Sequence, residues 1–469
     1  MKTIQETLET EISAETDVLV CGGGPAGCAA AIAAARNGCS VILTEYQGFL
    51  GGVPAAAGVN GIGTFYWDLD GRVLISGIPQ ELVSRIYLAS DGNKEFLKTI
   101  FTPREGAPDY KETFGGFFLN SNPEMVKIIL DEMMREAGVR VLLETQVVRP
   151  LMEGKKVIGA VTESKSGRRA ILAGTVIDCT GDGDIAARAG AEFETGRPED
   201  HLCQPMSQIF VTSGTNYPEL YYGTGEDPDP NPLTRFRFRR AVKDAREKGI
   251  LKENPNDILC AATPLSRNDP TVRAVNFTRI QKYSALDTDQ KSAALAAGRR
   301  QVLEAMNFIR SYVPGGSNAK LAQIYTTIGV RESRRITGEY RLTAEDVMQG
   351  RRFPDSIARG LYLLDIHNPD KVGVPSTLIR LKQPYDIPFR ILVPRGLEGI
   401  LVAGRCVSTD HVALSSCRIM SHCMAMGEAA GTAAALAKQT GTAAGLVDPS
   451  ALQSLLSANG ANPRGPAER

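Results

Sequence analysis

The sequence predicts an α/β fold: a parallel sheet with a small antiparallel sheet beside it, interrupted by an inserted α+β region. Three observations carry that reading. An apolar run, Asp17 to Cys21, leads directly into Gly22-Gly23-Gly24-Pro25-Ala26-Gly27 and then an Ala-rich stretch, Cys28 to Arg36. A second apolar run, Cys39 to Thr44, follows Gly38 and closes on Glu45. Near the other end, Ile400 to Ala403 runs into Gly404, and an Ala/Gly-rich stretch, Met420 to Ala437, comes soon after.

The first stretch contains every part of a dinucleotide-binding unit in order: strand, glycine turn, helix, strand, acid. Gly22 permits the tight turn, Gly24 lets the backbone approach a pyrophosphate, and Gly27 lets the helix lie close to the strand. Pro25 and Ala26 lie within the turn as further candidate cofactor contacts, and the N-terminus of the helix that follows presents unpaired N–H groups and a positive dipole end to phosphate. Glu45 can accept hydrogen bonds from ribose hydroxyls, and its charge disfavours a 2′-phosphate. The plainer alternative is a glycine turn holding no ligand, and the complete order of parts weighs against it.

Composition sets the bounds. At 469 residues the chain exceeds what one hydrophobic core usually serves, so two domains are expected. A formal net charge of zero argues against a general nucleic-acid binder. No apolar run approaches the roughly 20 residues that cross a bilayer. The acidic start, with no apolar core, is not a signal peptide, so a cytoplasmic location is expected. There are nine Cys and no C-x-x-C, which suggests reduced thiols without an iron–sulfur cluster or structural zinc. His201, His367, His411 and His422 form no metal-binding spacing, so no metal is expected.

After Glu45, the stretch to Tyr66 carries Gly51, Gly52, Gly58, Gly61 and Gly63, interleaved with Phe49, Leu50 and Val53. Such a loop can pass close to a flat ligand, which favours FAD over NAD, and the alternative is a surface loop. Pro79 to Ala89 reads as an amphipathic helix and 105–116 as loop. Pro123 to Ala137 reads as a helix with Asn122 as N-cap and Gly138 past its end. Val139 to Val148 reads as a strand, and Val157 to Thr162 with Ala170 to Leu172 as a hairpin around Ser166-Gly167. Thr175 to Thr180 is a buried strand leading into Gly181-Asp182-Gly183-Asp184-Ile185-Ala186. A second dinucleotide site there is rejected, because Asp182 and Asp184 would repel a pyrophosphate. Those carboxylates suit sugar or ribityl hydroxyls, or a capped helix start.

From His201 to Pro394 the glycine signature is absent. Asp227 to Pro232 is a rigid Pro-rich loop. Thr234 to Lys248 is a basic helix with Arg235, Arg237, Arg239 and Arg240, read as a solvated face before a partner site. Asp287 to Tyr312 is a long helix. Arg331, Arg334 and Arg335 have the spacing of one helical face. They either capture a carboxylate or cofactor phosphate, or form an internal ion-pair knot with Glu332, Glu339, Glu345 or Asp346. Ser408 to Arg418 reads as a polar loop before the helix that begins at Met420, whose N-terminus could face a flavin ring. The expected organisation is a discontinuous FAD-binding domain (1–65, 115–200 and 395–440), a substrate or cap domain (66–114 and 201–394) and a disordered tail (457–469).

The fingerprint, Glu45, Gly51-Gly52, the run Asp178-Cys-Thr-Gly-Asp-Gly-Asp184 and the Gly404-Arg405 unit together resemble the FAD-dependent oxidoreductases of the glutathione-reductase structural type, with a Rossmann-like FAD-binding domain of the ββα type. RESRRITGEYRLT and STDHVALSSCRIMSHCMAMGEAAGTAAA are similar to a bacterial subgroup distantly akin to fumarate reductase flavoproteins and heterodisulfide reductase flavin subunits. The resemblance implies an extended FAD. Gly22, Gly24 and Gly27 would meet the pyrophosphate, Glu45 the adenosine ribose and Val147 the adenine region. Asp182 or Asp184 with Gly404 would lie near the ribityl chain, and Gly51 and Gly52 near the isoalloxazine. The fumarate-reductase relatives often tether flavin through a His after Gly-Gly; positions 50 to 64 hold none, so FAD is expected to be non-covalent.

The expected activity is hydride exchange between flavin N5 and a small polar, carboxylate-bearing organic substrate. His411 is the candidate acid/base, its alternative being a histidine that bonds loop backbone. Arg418 is the charge that holds substrate or steadies reduced flavin. Cys417 is a candidate thiolate, with an inert buried thiol the alternative. A flavin-dependent monooxygenase, an electron-transferring subunit of a larger redox complex and a non-catalytic FAD-stabilised binding protein are the rival readings. The sequence leaves the electron acceptor open among oxygen, a quinone and a redox protein, and a homo-oligomer is compatible with it.

Overall fold

The computed structural model describes residues 3–66, 73–101, 116–215, 238–256, 259, 261–266, 268–371 and 376–464. Residues 105–115 of the loop expected at 105–116, the Pro-rich stretch 227–232, Arg235, Arg237 and residues 465–469 lie outside them.

Strand β1 (Glu11–Cys21) is longer than its apolar run, because its first seven residues pair in the sheet while staying partly exposed. Helix α1 (Pro25–Arg36) starts at Pro25, where proline sacrifices no hydrogen bond, and its alanine face is buried. Strand β2 (Val41–Thr44) lies parallel to β1. Helix α2 (Ile78–Ala89) and helix α3 (Pro123–Ala137) follow. In α3 the Asn122 side chain accepts from Glu124 N, and Gly138 closes the helix at φ 74°.

The single strand expected over 139–148 is two strands, β3 (Arg140–Leu142) and β4 (Gln146–Glu153). The break falls at Glu144, φ 48°, where Glu144 N bonds Gln47 O and Thr145 N bonds Glu45 O. The chain turns there to clasp the segment after β2. Strand β5 (Lys156–Ser164) and strand β6 (Gly167–Asp178) form the hairpin around Ser166-Gly167, and the two short strands expected between 170 and 180 are one.

Among the described residues, β1 to β6 and β7 (Ile400–Val402) form a seven-stranded sheet, in the order β3-β2-β1-β6-β5-β4 with β7 also beside β6. The strands β3, β2, β1, β6 and β7 are mutually parallel, and β5 and β4 add an antiparallel edge. Register sets Cys21 beside Thr44, Cys21 beside Asp178, and Val402 beside Asp178. Four parallel strands therefore end in one row, and the loops leaving that row share a crevice.

Helix α4 (Asp184–Arg188) follows β6. A second, separate cluster of buried side chains, including Phe210, Phe277, Val302 and Phe308, lies between helix α5 (Thr288–Tyr312) and a four-stranded antiparallel sheet. Ile336, Leu342, Tyr385 and Ile391, from the later part of the expected cap domain, instead pack into the main core.

The polar loop expected over 408–418 contains helix α6 (His411–Cys417), capped by the Asp410 side chain accepting from Ala413 N at 2.6 Å. Helix α7 (Met420–Thr440) packs on α1 through its two glycines. A Cβ at Gly427 would sit 2.0 Å from Ala26 O, and one at Gly431 would sit 2.1 Å from Ala30 O. Both contacts advance by four residues, so the helices run parallel. Residues 420–425 of α7 then overhang the start of α1 by about 9 Å.

The tail expected from residue 457 is packed as far as Arg464. Ser457 belongs to the last helix (Pro449–Ala458), Ser356 Oγ donates to Pro463 O at 2.6 Å, and Arg464 Nε donates to Gln453 Oε1 at 2.7 Å. Among the described residues no helix is long and apolar enough to cross a membrane.

Candidate functional site

The crevice at the ends of the parallel strands is lined by glycines with three different geometries. Gly22 has φ 105°, and a Cβ there would meet Cys179 O at 2.5 Å. Gly27 abuts the strand end, its hypothetical Cβ falling 1.8 Å from Gly22 O. Gly24 differs: a Cβ there would meet no protein atom within 4 Å. The protein thus crowds the first and third glycines and leaves space over the second, which is also the N-cap of α1 and caps it with no side chain. Unpaired helix N–H groups facing open space fit a pyrophosphate.

Glu45 is buried beside this loop. Its Oε2 accepts from Gly23 N at 2.7 Å and its Oε1 from Gln47 N at 2.8 Å, while burial pushes its pKa up. Gly51 N donates to Gly23 O at 2.8 Å, and a Cβ on Gly52 (φ 54°) would press on Gly24 Cα. The Gly51-Gly52 turn therefore rests on the fingerprint loop. Gly404, at φ 96°, faces Ala26 from the other side. Val147 is buried on β4, two residues past the Thr145–Glu45 hydrogen bond. The residues needed for an extended dinucleotide fit: a phosphate cradle, an acid beside it and glycine walls.

Asp182 and Asp184 do not face one another unpaired. Asp182 Oδ1 accepts from Ser333 Oγ at 2.6 Å and pairs with Arg405 Nη2 at 2.9 Å. Burial raises its pKa, yet Arg405 and Ser333 outweigh that and hold it below the usual carboxylate value. Asp184 pairs with Arg334 at 2.9 Å. Asp178, fully buried, anchors α4 by accepting from Ile185 N at 2.8 Å and Ala186 N at 2.9 Å. The chain after α4 enters Phe193–Thr195, which pairs antiparallel with Arg334–Ile336, so no second βαβ unit follows.

That pairing corrects the expected arginine face. Arg334–Ile336 is a strand, and neighbouring residues on a strand point to opposite sides. Arg334 goes to Asp184 and to the Asp182 carbonyl. Arg335, fully buried, goes to Glu332, Thr409 O and Gly196 O. Arg331 turns elsewhere, donating to Pro205 O at 2.6 Å and Ser207 Oγ at 2.9 Å. The internal ion-pair alternative describes Arg335, which pairs with Glu332; Arg334 is also paired internally but with Asp184, which that reading did not name, and Arg331 joins a different group.

His411 is the first residue of α6 rather than part of a loop. Its Nδ1 lies 2.9 Å from Glu332, which is buried and also accepts from Gln204 N at 2.9 Å. Arg418, at the C-cap of α6, directs Nη2 toward Gln204 Oε1 at 3.4 Å and Asp365 O at 3.3 Å. Gln204 therefore links the two candidate residues, its main chain to the Glu332–His411 pair and its side chain to Arg418. Cys417 is fully buried, and burial pushes its thiol far up, which removes it as a thiolate candidate. A cavity of about 290 Å³ lies nearby, beside Arg335 and between Glu194 and Arg395. Neither the glycine cradle nor His411 nor Arg418 lines it, so the candidate site lies elsewhere.

Sequence reading named Glu332 only as a possible partner of the arginines, not of His411, and gave no role to Ser333, Gln204 or the Arg405 side chain. Their partners lie far along the chain, and spacing carries no signal for them. Asp410 before the apolar start of α6 is the signal for that helix.

The chain resembles a curated protein, the digeranylgeranylglycerophospholipid reductase of Methanospirillum hungatei, at 26% identity over 215 residues. That match spans 46% of this chain and half the length of the relative. Among solved structures it is similar to a geranylgeranyl bacteriochlorophyll reductase-like protein from Thermoplasma acidophilum. There the identity is 12%, the TM-score 0.41, and the coverage 95% of this chain and 83% of the other. It is also similar to p-nitrophenol 4-monooxygenase from Pseudomonas putida, at 11% identity and TM-score 0.44, with coverage of 96% and 84%. The family model for FAD dependent oxidoreductases matches residues 17–456, from the strand that enters the cradle to the last helix. With that match and a crevice shaped for the dinucleotide, the chain belongs to the FAD-dependent oxidoreductase family and is a flavoenzyme.

Proposed function

We propose that this flavoenzyme oxidises or reduces a small, polar, carboxylate-bearing organic molecule, with FAD held non-covalently in the glycine cradle. FAD, when bound, supplies a hydride acceptor or donor at N5. The observation that carries the proposal is the overhang of α7. Its first six residues project past the phosphate cradle, and Arg418 and α6 stand at their foot. A substrate there would meet Arg418 as its counter-charge and His411 as its proton carrier. Glu332 fixes His411 through Nδ1. Nε2 has no hydrogen-bond partner among the described residues and is left for proton exchange.

In this reading Gly22, Gly24, Pro25, Ala26 and Gly27 hold the pyrophosphate, Glu45 the ribose and Val147 the adenine side. Asp182 and Gly404 approach the ribityl chain, and Gly51 and Gly52 the ring. Asp184 is retained by Arg334 as a structural partner. The parallel strands with a hairpin edge support assignment to the glutathione-reductase type. The separate core between α5 and the antiparallel sheet supports a cap region, which we draw from 201 to about 330.

Anaerobic mixing of the FAD-loaded protein with small hydroxy acids, amino acids and matched neutral alcohols tests this. Flavin bleaching by a carboxylate-bearing compound, lost in Arg418→Met and slowed in His411→Asn, is the expected result. Equal bleaching by the neutral alcohols would overturn the substrate class.

A further inference from the structure

Beside Arg418 lies a recess built from distant parts of the chain. The Gln204 amide has its orientation fixed: Oε1 accepts from His367 N at 3.2 Å and from Arg418 Nη2 at 3.4 Å. Reversing the amide would set its N–H groups against two other donors. Gln204 Nε2 is thereby turned away from both, and it is buried with no hydrogen-bond partner among the described residues. The residue itself is only 2% exposed. Arg418 Nε is a second buried donor without a partner. Two such donors on adjoining side chains are uncommon, because buried N–H groups are nearly always satisfied.

Charge in the recess is also uneven. Arg331 and Arg418 both act on Asp365, Tyr362 and His367. Arg279, itself buried, reaches His367 Nδ1 at 3.3 Å. Asp365 is the acid these groups share, and it is engaged by His367 Nε2 at 3.1 Å. Burial, then Arg331, hold His367 down to about 3, so it contributes no positive charge near neutrality, and Tyr362 is kept protonated by burial. Arg331 and Arg418 thus both act on the one Asp365 carboxylate, and among the described residues Arg418 donates to neutral oxygens, Gln204 Oε1 and Asp365 O. The neighbouring side chains of His367 and Asp365 keep 12% and 19% of their exposure. Buried charges are normally paired, so a guanidinium that donates to neutral oxygens and keeps a buried Nε without a partner suits an anion.

We propose that Gln204 Nε2 and Arg418 Nε, backed by the charge of Arg331, form the subsite that binds the carboxylate of the substrate, with Gln204 as a specificity-determining residue. This deepens the proposed function and rests on it for the word substrate, but the anion subsite stands on its own geometry. An amide N–H and a guanidinium N–H on adjoining side chains are two unmet donors, the number a carboxylate's two oxygens can accept. A neutral alcohol or amide in the same place would leave one donor unmet.

Isothermal titration with acetate, succinate and benzoate, using succinamide and butanediol as neutral controls, tests the subsite. It is run on both the FAD-loaded and the flavin-free chain. At least one carboxylate is expected to bind the wild type while the neutral controls do not. Gln204→Leu and Arg418→Met should each weaken that binding about tenfold or more, the range for losing a hydrogen bond to a charged group. Flavin content should stay at the wild-type level. Gln204→Glu, which supplies its own carboxylate to Arg418, should abolish binding. Arg418→Lys should bind with intermediate strength, and these two variants decide the matter if the first two do not fold. Absence of carboxylate binding to the wild type, or wild-type affinity in Gln204→Leu, would overturn the proposal. So would loss of flavin from Gln204→Leu, since the donors would then face the cofactor. Failure of the chain to take up FAD while carboxylates still bind would defeat the proposed function and leave the subsite intact.

Discussion

The glycine cradle and the recess around Gln204 and Arg418 are built in opposite ways. The cradle is made of backbone: Gly22, Gly24 and Gly27 act through side chains they lack, within one stretch of sequence. The recess is made of residues 204, 279, 331, 365, 367 and 418, each linked to a partner far along the chain. The cradle shapes space for a group common to a whole family. The recess sets charge and hydrogen-bond donors, which are what distinguish one substrate from another. The Glu332–His411–Arg335 group and helix α7 join the two.

Breaking that junction should have the largest effect. Glu332 is buried against Arg335 and His411. Glu332→Ala leaves a buried guanidinium uncompensated and should cost about 3–5 kcal/mol in urea unfolding. Glu332→Gln should recover part of that and leave FAD content unchanged. A loss under 1 kcal/mol in the Ala variant would mean the group relaxes to solvent.

Helix α7 gives a pH-dependent version of the same test. Glu428 is buried, and burial pushes its pKa from 4.5 up to about 8, against its hydrogen bond from Ile78 N. The folded chain then keeps a proton that the unfolded chain has released. The stability associated with that proton is present below 4.5 and declines as pH rises through about 8. Glu428→Gln should remove the decline and exceed the wild type by on the order of 3 kcal/mol near pH 9, the gap closing toward pH 4. Parallel pH profiles of the two proteins would refute this.

The contact between α1 and α7 is next. Gly427→Ala places a methyl 2.0 Å from Ala26 O and should cost about 1–3 kcal/mol, with weaker FAD retention because α1 must shift. Gly441→Ala, at the C-cap of α7, is the control: it has open space around it but a φ of 69°. It should cost about 1 kcal/mol without loss of flavin.

Much of the cradle was legible because its parts are contiguous and each glycine has a local reason. Strand, turn, helix and Glu45 all emerged in order, as did α3 with its Asn122 cap and Gly138. The recess was legible only at Arg418, for physical reasons. Arg331, Arg334 and Arg335 carry helical spacing, but pairing of Arg334–Ile336 with Phe193–Thr195 overrides it and sends the three apart. His411 was picked out by residue type, while its partner Glu332 is 79 positions away. Gln204 gave no signal at all, since a glutamine is ordinary until its carbonyl is taken and its amide is not. Glu428 sits in an alanine-rich run whose composition hides a buried acid.

The most direct test of the central claim uses the glycine the protein leaves uncovered. Gly24 has φ −74°, which any residue adopts, and a Cβ there meets nothing in the protein. Flavin-free Gly24→Ala should therefore be as stable as the wild type, or more stable by up to about 1 kcal/mol. FAD titration should nonetheless show affinity about tenfold weaker or worse, because the methyl occupies the phosphate's place. Acid precipitation of the wild type should release its flavin to the supernatant. A Gly24→Ala protein that binds FAD as tightly as the wild type would contradict the assignment of this crevice as the cofactor site.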